Sequence, residues 1–225
     1  MSQDPLEASG QSAFAADKQE VRGVKAVLFD LGNVLIDFEH RRAAESISCF
    51  TERSVEEIFN LFFDSELTGL FEEGKISGRE FFLEVRRMLN LEMDFHQFVP
   101  IWNEIFFFSE KNQGVYQLAT RLKSTYKVAI LSNINILHLE YIKRTFPLLG
   151  AFTMMASNEV GLRKPHPDIY RKALALLDEP GENVFYTDDR AELVTSASQL
   201  GLRSFVFKSV DGLRNDLLQA GVNIL

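Results

Sequence analysis

Three apolar runs in this chain break off at polar groups that could do chemistry. Asp30 follows residues 26–29 (AVLF), Ser132 and Asn133 follow residues 127–131 (KVAIL), and Asp188 and Asp189 follow residues 183–187 (NVFYT). Lys164 stands in the loop GLRKPHPDIY between the second and third runs. Three carboxylates brought together make a hard oxygen site suited to Mg²⁺, which binds a few carboxylates and keeps water and phosphate oxygens as its other ligands. A serine hydroxyl and a lysine ammonium can hold the remaining phosphate oxygens. Each group also has a plainer reading. Asp30 can simply end a strand, Gly32 make a turn, Ser132 close a strand end, Lys164 sit in solvent, and Asp188-Asp189 cap a helix. Those readings are reasonable one by one, but they leave unexplained why all these groups fall at strand ends or in the loop between them.

Bringing the groups together requires a parallel sheet, because only then do the carboxyl ends of distant strands line one edge. The sequence supplies it. Residues 26–29, 127–131, 183–187 and 203–207 are short apolar runs of the kind that strands buried on both faces require, with residues 152–155 as a weaker fifth. Helical spacing separates them: Val115, Leu118, Ala119 and Leu122; then Ile136, Leu137, Leu139, Tyr141 and Ile142; then Ile169, Tyr170, Ala173, Leu174 and Leu177; then Leu193, Val194, Ala197 and Leu200. This alternation predicts a doubly wound, Rossmann-like α/β core.

Between the first two strands the pattern is helical only. Residues 41–50 predict a short helix, and Ser54 with Glu57, then Ser77 with Glu80, read as capping boxes. A further helix is predicted from Asp94, with Pro100 either in its first turn or kinking it. Phenylalanines crowd this stretch, and the chain has 20 in all. Their spacing reads as packing between helices rather than as a ligand pocket. The predicted organisation is a mobile lead-in over residues 1–23, a core from residues 24–37 and 112–225, and an inserted all-α helical-bundle cap over residues 38–111.

Composition narrows the partners. A formal charge of −8 with no basic stripe argues against nucleic-acid binding, which needs clustered Lys and Arg. No apolar run reaches the ~20 residues of a membrane span. The amino terminus lacks the basic start and apolar stretch of a signal peptide, so a soluble cytoplasmic protein is expected. The single Cys49 excludes an internal disulfide, and its place in a helical pattern beside Phe50 predicts a buried thiol. Oligomeric state is not encoded in any of these patterns.

The segments VLFDLGNVL, ILSN, GLRKPHPDIY and VFYTDD, in this order, resemble the four motifs of the haloacid dehalogenase-like (HAD) hydrolase superfamily. The helical insertion resembles that superfamily's helical-cap subclass, and the DLGNV start resembles bacterial sugar-phosphate phosphatases. The resemblance implies that Asp30 is a nucleophile forming an aspartyl-phosphate, and that Asp30, the Gly32 carbonyl and Asp189 bind Mg²⁺, with Asp188 acting through metal-bound water. It implies that Ser132, the Asn133 backbone and Lys164 hold the phosphoryl group of a small phosphorylated metabolite, a sugar phosphate among the candidates.

Two positions depart from the pattern. Phosphatases of the superfamily usually carry a second Asp two residues after the nucleophile as acid and base, and here Gly32 has no side chain. Leu193 stands where many relatives carry Asn. Asp37, Phe38, Glu39 and His40 are near enough in sequence to reach the site. Gly32 keeps open a non-catalytic phosphate-binding protein. Metal-independent C–halogen hydrolysis is the other alternative, and the Asp188-Asp189 pair speaks against it. Phosphonate cleavage would ask for a cap lysine in covalent catalysis, and only Lys75 stands in the cap before Lys111.

Overall fold

The computed structural model describes residues 23–62 and 65–224. Apart from Gly23, the lead-in expected over residues 1–23 lies outside them. Among the described residues a five-stranded sheet runs in the order β5 (Thr153–Ala156), β4 (Lys127–Ser132), β1 (Ala26–Phe29), β6 (Val184–Asp188), β7 (Arg203–Val206). All its pairings are parallel. β1 is central, with Phe29 in register with Ile130 on one side and Thr187 on the other.

Strand alternation divides the core into two layers. Val27, Phe29, Ile130 and Phe185 join Val115, Leu118 and Leu122 of α6 (Glu110–Leu122), Leu139 and Ile142 of α7 (Ile136–Thr145), and Leu213 and Leu217 of α11 (Val210–Gln219). Ala26, Leu28, Leu131 and Tyr186 face the other way. They pack on Ile169, Tyr170 and Ala173 of α9 (Pro167–Leu177) and Ala197 of α10 (Ala191–Ser198). The short α8 (Ser157–Val160) follows β5 directly.

A third hydrophobic cluster lies among α1 (His40–Ser48), α2 (Val55–Phe62), α3 (Glu66–Glu72), α4 (Gly78–Leu89) and α5 (Phe95–Asn103). Phe62, Phe71, Phe81, Phe98 and Trp102 are its buried centre. The Ser77–Glu80 and Asp94–Gln97 capping boxes start α4 and α5, and Ser54 and Glu57 bond reciprocally at the start of α2. This helical unit joins the core through a two-stranded antiparallel ribbon, β2 (Asp37–Phe38) with β3 (Phe106–Phe107).

Several expectations need correction. Cys49 is exposed, because it falls at the C-cap of α1 rather than on its buried face. Of the two places expected for Pro100, the first turn is excluded: it is the sixth residue of α5 and denies the His96 carbonyl a helical donor. The structure adds α11 and the ribbon of β2 and β3, whose two-residue strands have no period to read. Among the described residues, no helix is long and apolar enough to cross a membrane.

Candidate active site

The sheet register brings Asp30, Ser132 and Asp188 to adjacent strand ends at the carboxyl edge of the sheet, strands being ~4.8 Å apart. All three are buried. Asp30 follows β1 directly, its backbone N–H donating to the Thr187 carbonyl at 2.9 Å. Lys164, also buried, donates at 2.6 Å to Asp30 Oδ1, at 2.6 Å to Asp188 Oδ2 and at 3.2 Å to the Leu131 carbonyl. Lys164 is thus enclosed between two carboxylates rather than solvated.

Lys164 is placed by Asn133. The Asn133 side chain donates to the Lys164 carbonyl at 2.9 Å and accepts from its N–H at 2.8 Å. This two-point clasp ties the loop to the end of β4. Ser132 ends β4, and among the described residues its hydroxyl donates to the Asn133 carbonyl at 3.4 Å.

Charge and burial compete throughout. Burial pushes the Asp30 carboxyl up to about 7, with Asp188 and Asp189 adding to the rise and Lys164 opposing it. Burial also disfavours the Asp188 carboxylate, but Lys164, the Tyr186 hydroxyl and the Arg190 N–H outweigh it and hold Asp188 low. Burial raises Asp189, moderated by Asn33, which donates to Asp189 Oδ2 at 2.9 Å. For Lys164, burial disfavours the ammonium, yet Asp30 and Asp188 overcome it and hold the charge.

Asp30, Asp188 and Asp189 each offer an oxygen within 4.8 Å of the other two. One ammonium among three carboxylates leaves net negative charge in a buried site. An all-carboxylate donor set of this size fits a hard divalent cation, which would offset that repulsion.

Gly32 carries a different meaning from the one its sequence context suggests. It does not take the left-handed backbone conformation; the left-handed residue of this turn is Asn33, with φ of 55°. A Cβ at Gly32 would instead lie 2.6 Å from Phe38 Cε1. Phe38 therefore occupies the room an aspartate side chain would need. Its ring packs on His40 at 4.9 Å and on Phe106 at 6.1 Å.

A cavity of about 390 Å³ opens between this edge and the helical unit, walled by the site residues with Phe38, His40, Phe62, Thr68, Glu72, Phe106 and Arg163. Phenylalanines expected to serve only packing thus also line it. Asp37 is not among the residues that line it. Its carboxylate is held by Ser109, Lys111 and Asn112, whose bonds outweigh burial and keep its pKa low. Glu39 pairs with Arg42, and Lys75 with Glu73. Leu193 is buried against the site, and Asn33 rather than residue 193 steadies Asp189. Sequence reasoning missed Asn33 and Tyr186. Tyr186 was findable, since it precedes Asp188 by two residues on one strand and so shares its face.

A sequence model of the haloacid dehalogenase-like hydrolases matches residues 24–201. The chain is 23% identical over 192 residues to a D-ribitol-5-phosphate phosphatase of Bacteroides thetaiotaomicron, covering 81% of this chain and 91% of that protein. It is 25% identical over 197 residues to the drimenol cyclase drtB of Aspergillus calidoustus, covering 86% of this chain but spanning only 36% of that longer relative. Among solved structures, a HAD family enzyme of B. thetaiotaomicron in complex with magnesium and inorganic phosphate superposes with a TM-score of 0.70 at 26% identity, over 83% of this chain and 96% of the other. The L-2-haloacid dehalogenase RSc1362 shares the fold, with a TM-score of 0.62 at 20% identity over 82% and 86% of the two chains.

Proposed function

This chain belongs to the haloacid dehalogenase-like hydrolase family, and we propose that it is a magnesium-dependent phosphatase of a small phosphorylated metabolite, a sugar or polyol phosphate in particular. The observation that carries this reading is the buried cluster of Asp30, Asp188 and Asp189 around Lys164. The phosphatase relative and the magnesium–phosphate complex of a structural relative support it.

Asp30 attacks phosphorus, the bond from phosphorus to the ester oxygen breaks, and an aspartyl-phosphate forms. Water then attacks the phosphorus, releasing inorganic phosphate and returning the carboxylate. Lys164 holds Asp30 Oδ1 in place. It also lends positive charge to the phosphoryl oxygens, together with the Ser132 hydroxyl and the Asn133 N–H. Asp30, Asp189 and the Gly32 carbonyl would hold Mg²⁺ directly, and Asp188 would hold it through water. When bound, the ion supplies charge neutralisation that lets an anionic nucleophile approach an anionic ester. Gly32 offers no acid to the departing oxygen. Turnover therefore leans on substrates whose leaving group departs easily, or on proton transfer from solvent.

The test is phosphate release from a panel of phosphorylated metabolites with Mg²⁺, with and without chelator, beside an Asp30→Asn control. Release that needs both Mg²⁺ and Asp30 is expected. Release equal in the control contradicts the reading, and chloride release from a haloacid that survives chelation would replace it with the dehalogenase.

A further inference from the structure

The cavity wall away from the carboxylates is built where α3 meets the loop before Lys164. Arg163 Nη1 lies 3.3 Å from Glu72 Oε2, and the two side chains are only 27% and 21% exposed. Gly69 makes the room: a Cβ there would lie 3.1 Å from Arg163 Nη2 and 3.2 Å from Cζ. From the core side, Ser157 Oγ donates to the Glu72 carbonyl at 2.6 Å and fixes the end of α3. The pair is therefore largely shielded from solvent where α3 meets this loop.

The other cations of the cavity are committed too. Arg190 pairs with Glu192 at 2.6 Å, and Lys164 serves Asp30 and Asp188. Among the described residues lining the cavity, every Lys and Arg faces a carboxylate. The lining histidines add no charge near neutrality, since burial lowers His40 to about 4 and His138 to about 3. A phosphate ester bound with its phosphoryl group at Lys164 shares this cavity with Glu72 and Arg163, which its remaining portion would face. A carboxylate or second phosphate on that portion would meet Glu72 with no cation left to receive it, at low local dielectric. Hydroxyls would find acceptor oxygens on Glu72 and donors on Arg163.

We propose that Glu72 is a specificity-determining residue: by neutralising Arg163 it excludes phosphate esters whose remaining portion is anionic, and with Arg163 it reads the hydroxyls of a neutral polyol. This rests on the phosphatase reading above. The test compares kcat/KM for a pentitol phosphate, the phosphorylated pentonic acid of the same chain length, and phenyl phosphate.

The wild-type protein is expected to favour the pentitol ester over the pentonate by roughly 100-fold. Glu72→Gln removes this carboxylate from the cavity wall and is expected to raise kcat/KM for the pentonate by roughly tenfold while lowering that for the pentitol, with phenyl phosphate changed by less than about threefold. The gain on the pentonate is expected to vanish in the Glu72→Gln/Arg163→Met double variant, which also removes the guanidinium. Equal loss on all three esters in Glu72→Gln would make Glu72 a cap-docking residue only and overturn the proposal, as would a gain that survives loss of Arg163. Wild-type turnover of the pentonate matching that of the pentitol overturns it while leaving the phosphatase intact. No phosphate from any ester with Mg²⁺ overturns both.

Discussion

The two walls of the cavity are made in opposite ways. On the sheet edge, each group is fixed by the end of a strand or by the loop clasped to it, and charge meets charge at 2.6 Å. On the helical side, position comes from aromatic packing, such as Phe71 stacked on Phe81 at 4.4 Å and Phe98 on Trp102 at 5.7 Å. Among the described residues, the Glu72–Arg163 pair carries charge across the seam into the cavity. A sheet edge of this kind can keep one chemistry while the helical wall varies, since backbone register and side-chain packing are set by different parts of the chain. On the proposed reading, reaction belongs to the first wall and recognition to the second.

Substitutions can break that division. The largest effect is expected for Asp30→Asn, with phosphate release lowered by on the order of 10⁴-fold while the melting profile is kept. Lys164→Met comes next. It removes the one cation between Asp30 and Asp188, so activity is expected to fall by roughly 10²–10³-fold. Stability is expected to fall by about 3 kcal/mol in chemical denaturation, because two buried carboxylates lose their partner. Were the helical wall catalytic as well, changes there would rival these, and the expectation is that they alter selectivity instead.

The seam gives a sharper test. Gly32→Asp alone drives a side chain into Phe38, 2.6 Å from the new Cβ, and is expected to cost about 1–3 kcal/mol in stability without raising turnover. Joined to Phe38→Ala, which vacates that room, the same aspartate is expected to raise phosphate release by roughly 10²-fold over Phe38→Ala alone. Equal rates in the two would show that acid–base help is already supplied elsewhere.

The smallest effect concerns pH. His40 and His138 are lowered from 6.5 to about 4 and about 3, by burial first. Above pH 6.5 both are neutral folded or unfolded and contribute no pH dependence. Below it the unfolded chain takes up protons that the folded chain refuses until pH nears those lower values. Stability therefore falls with acid, by about 1.4 kcal/mol per pH unit for each histidine. Denaturation midpoints from pH 7 to 5 check this, and His138→Gln is expected to flatten the slope.

The sheet edge was legible in the sequence because strand ends announce themselves. Asp30, Ser132 and Asp188 each close an apolar run, and parallel pairing brings such ends together whatever their separation in the chain. Lys164 was legible as part of a polar loop. What sequence could not give was whatever depends on how two units meet. Gly32 read as a turn, but its reason is the ring of Phe38, which a two-residue strand lays across it. Glu72 and Arg163 lie 91 residues apart on a helix and a loop with no shared period. Cys49 misled because one residue beyond α1 is enough to leave the buried stripe.

The central claim is that Asp30 is the nucleophile, and borohydride trapping tests it most directly. An aspartyl-phosphate is an acyl phosphate, so reduction during turnover of a phosphate ester converts that carboxyl to a primary alcohol. Peptide mass spectrometry is expected to find the change at Asp30, dependent on ester and Mg²⁺ and abolished by chelator. Phosphate release with Asp30 unreduced and another residue modified would contradict the account.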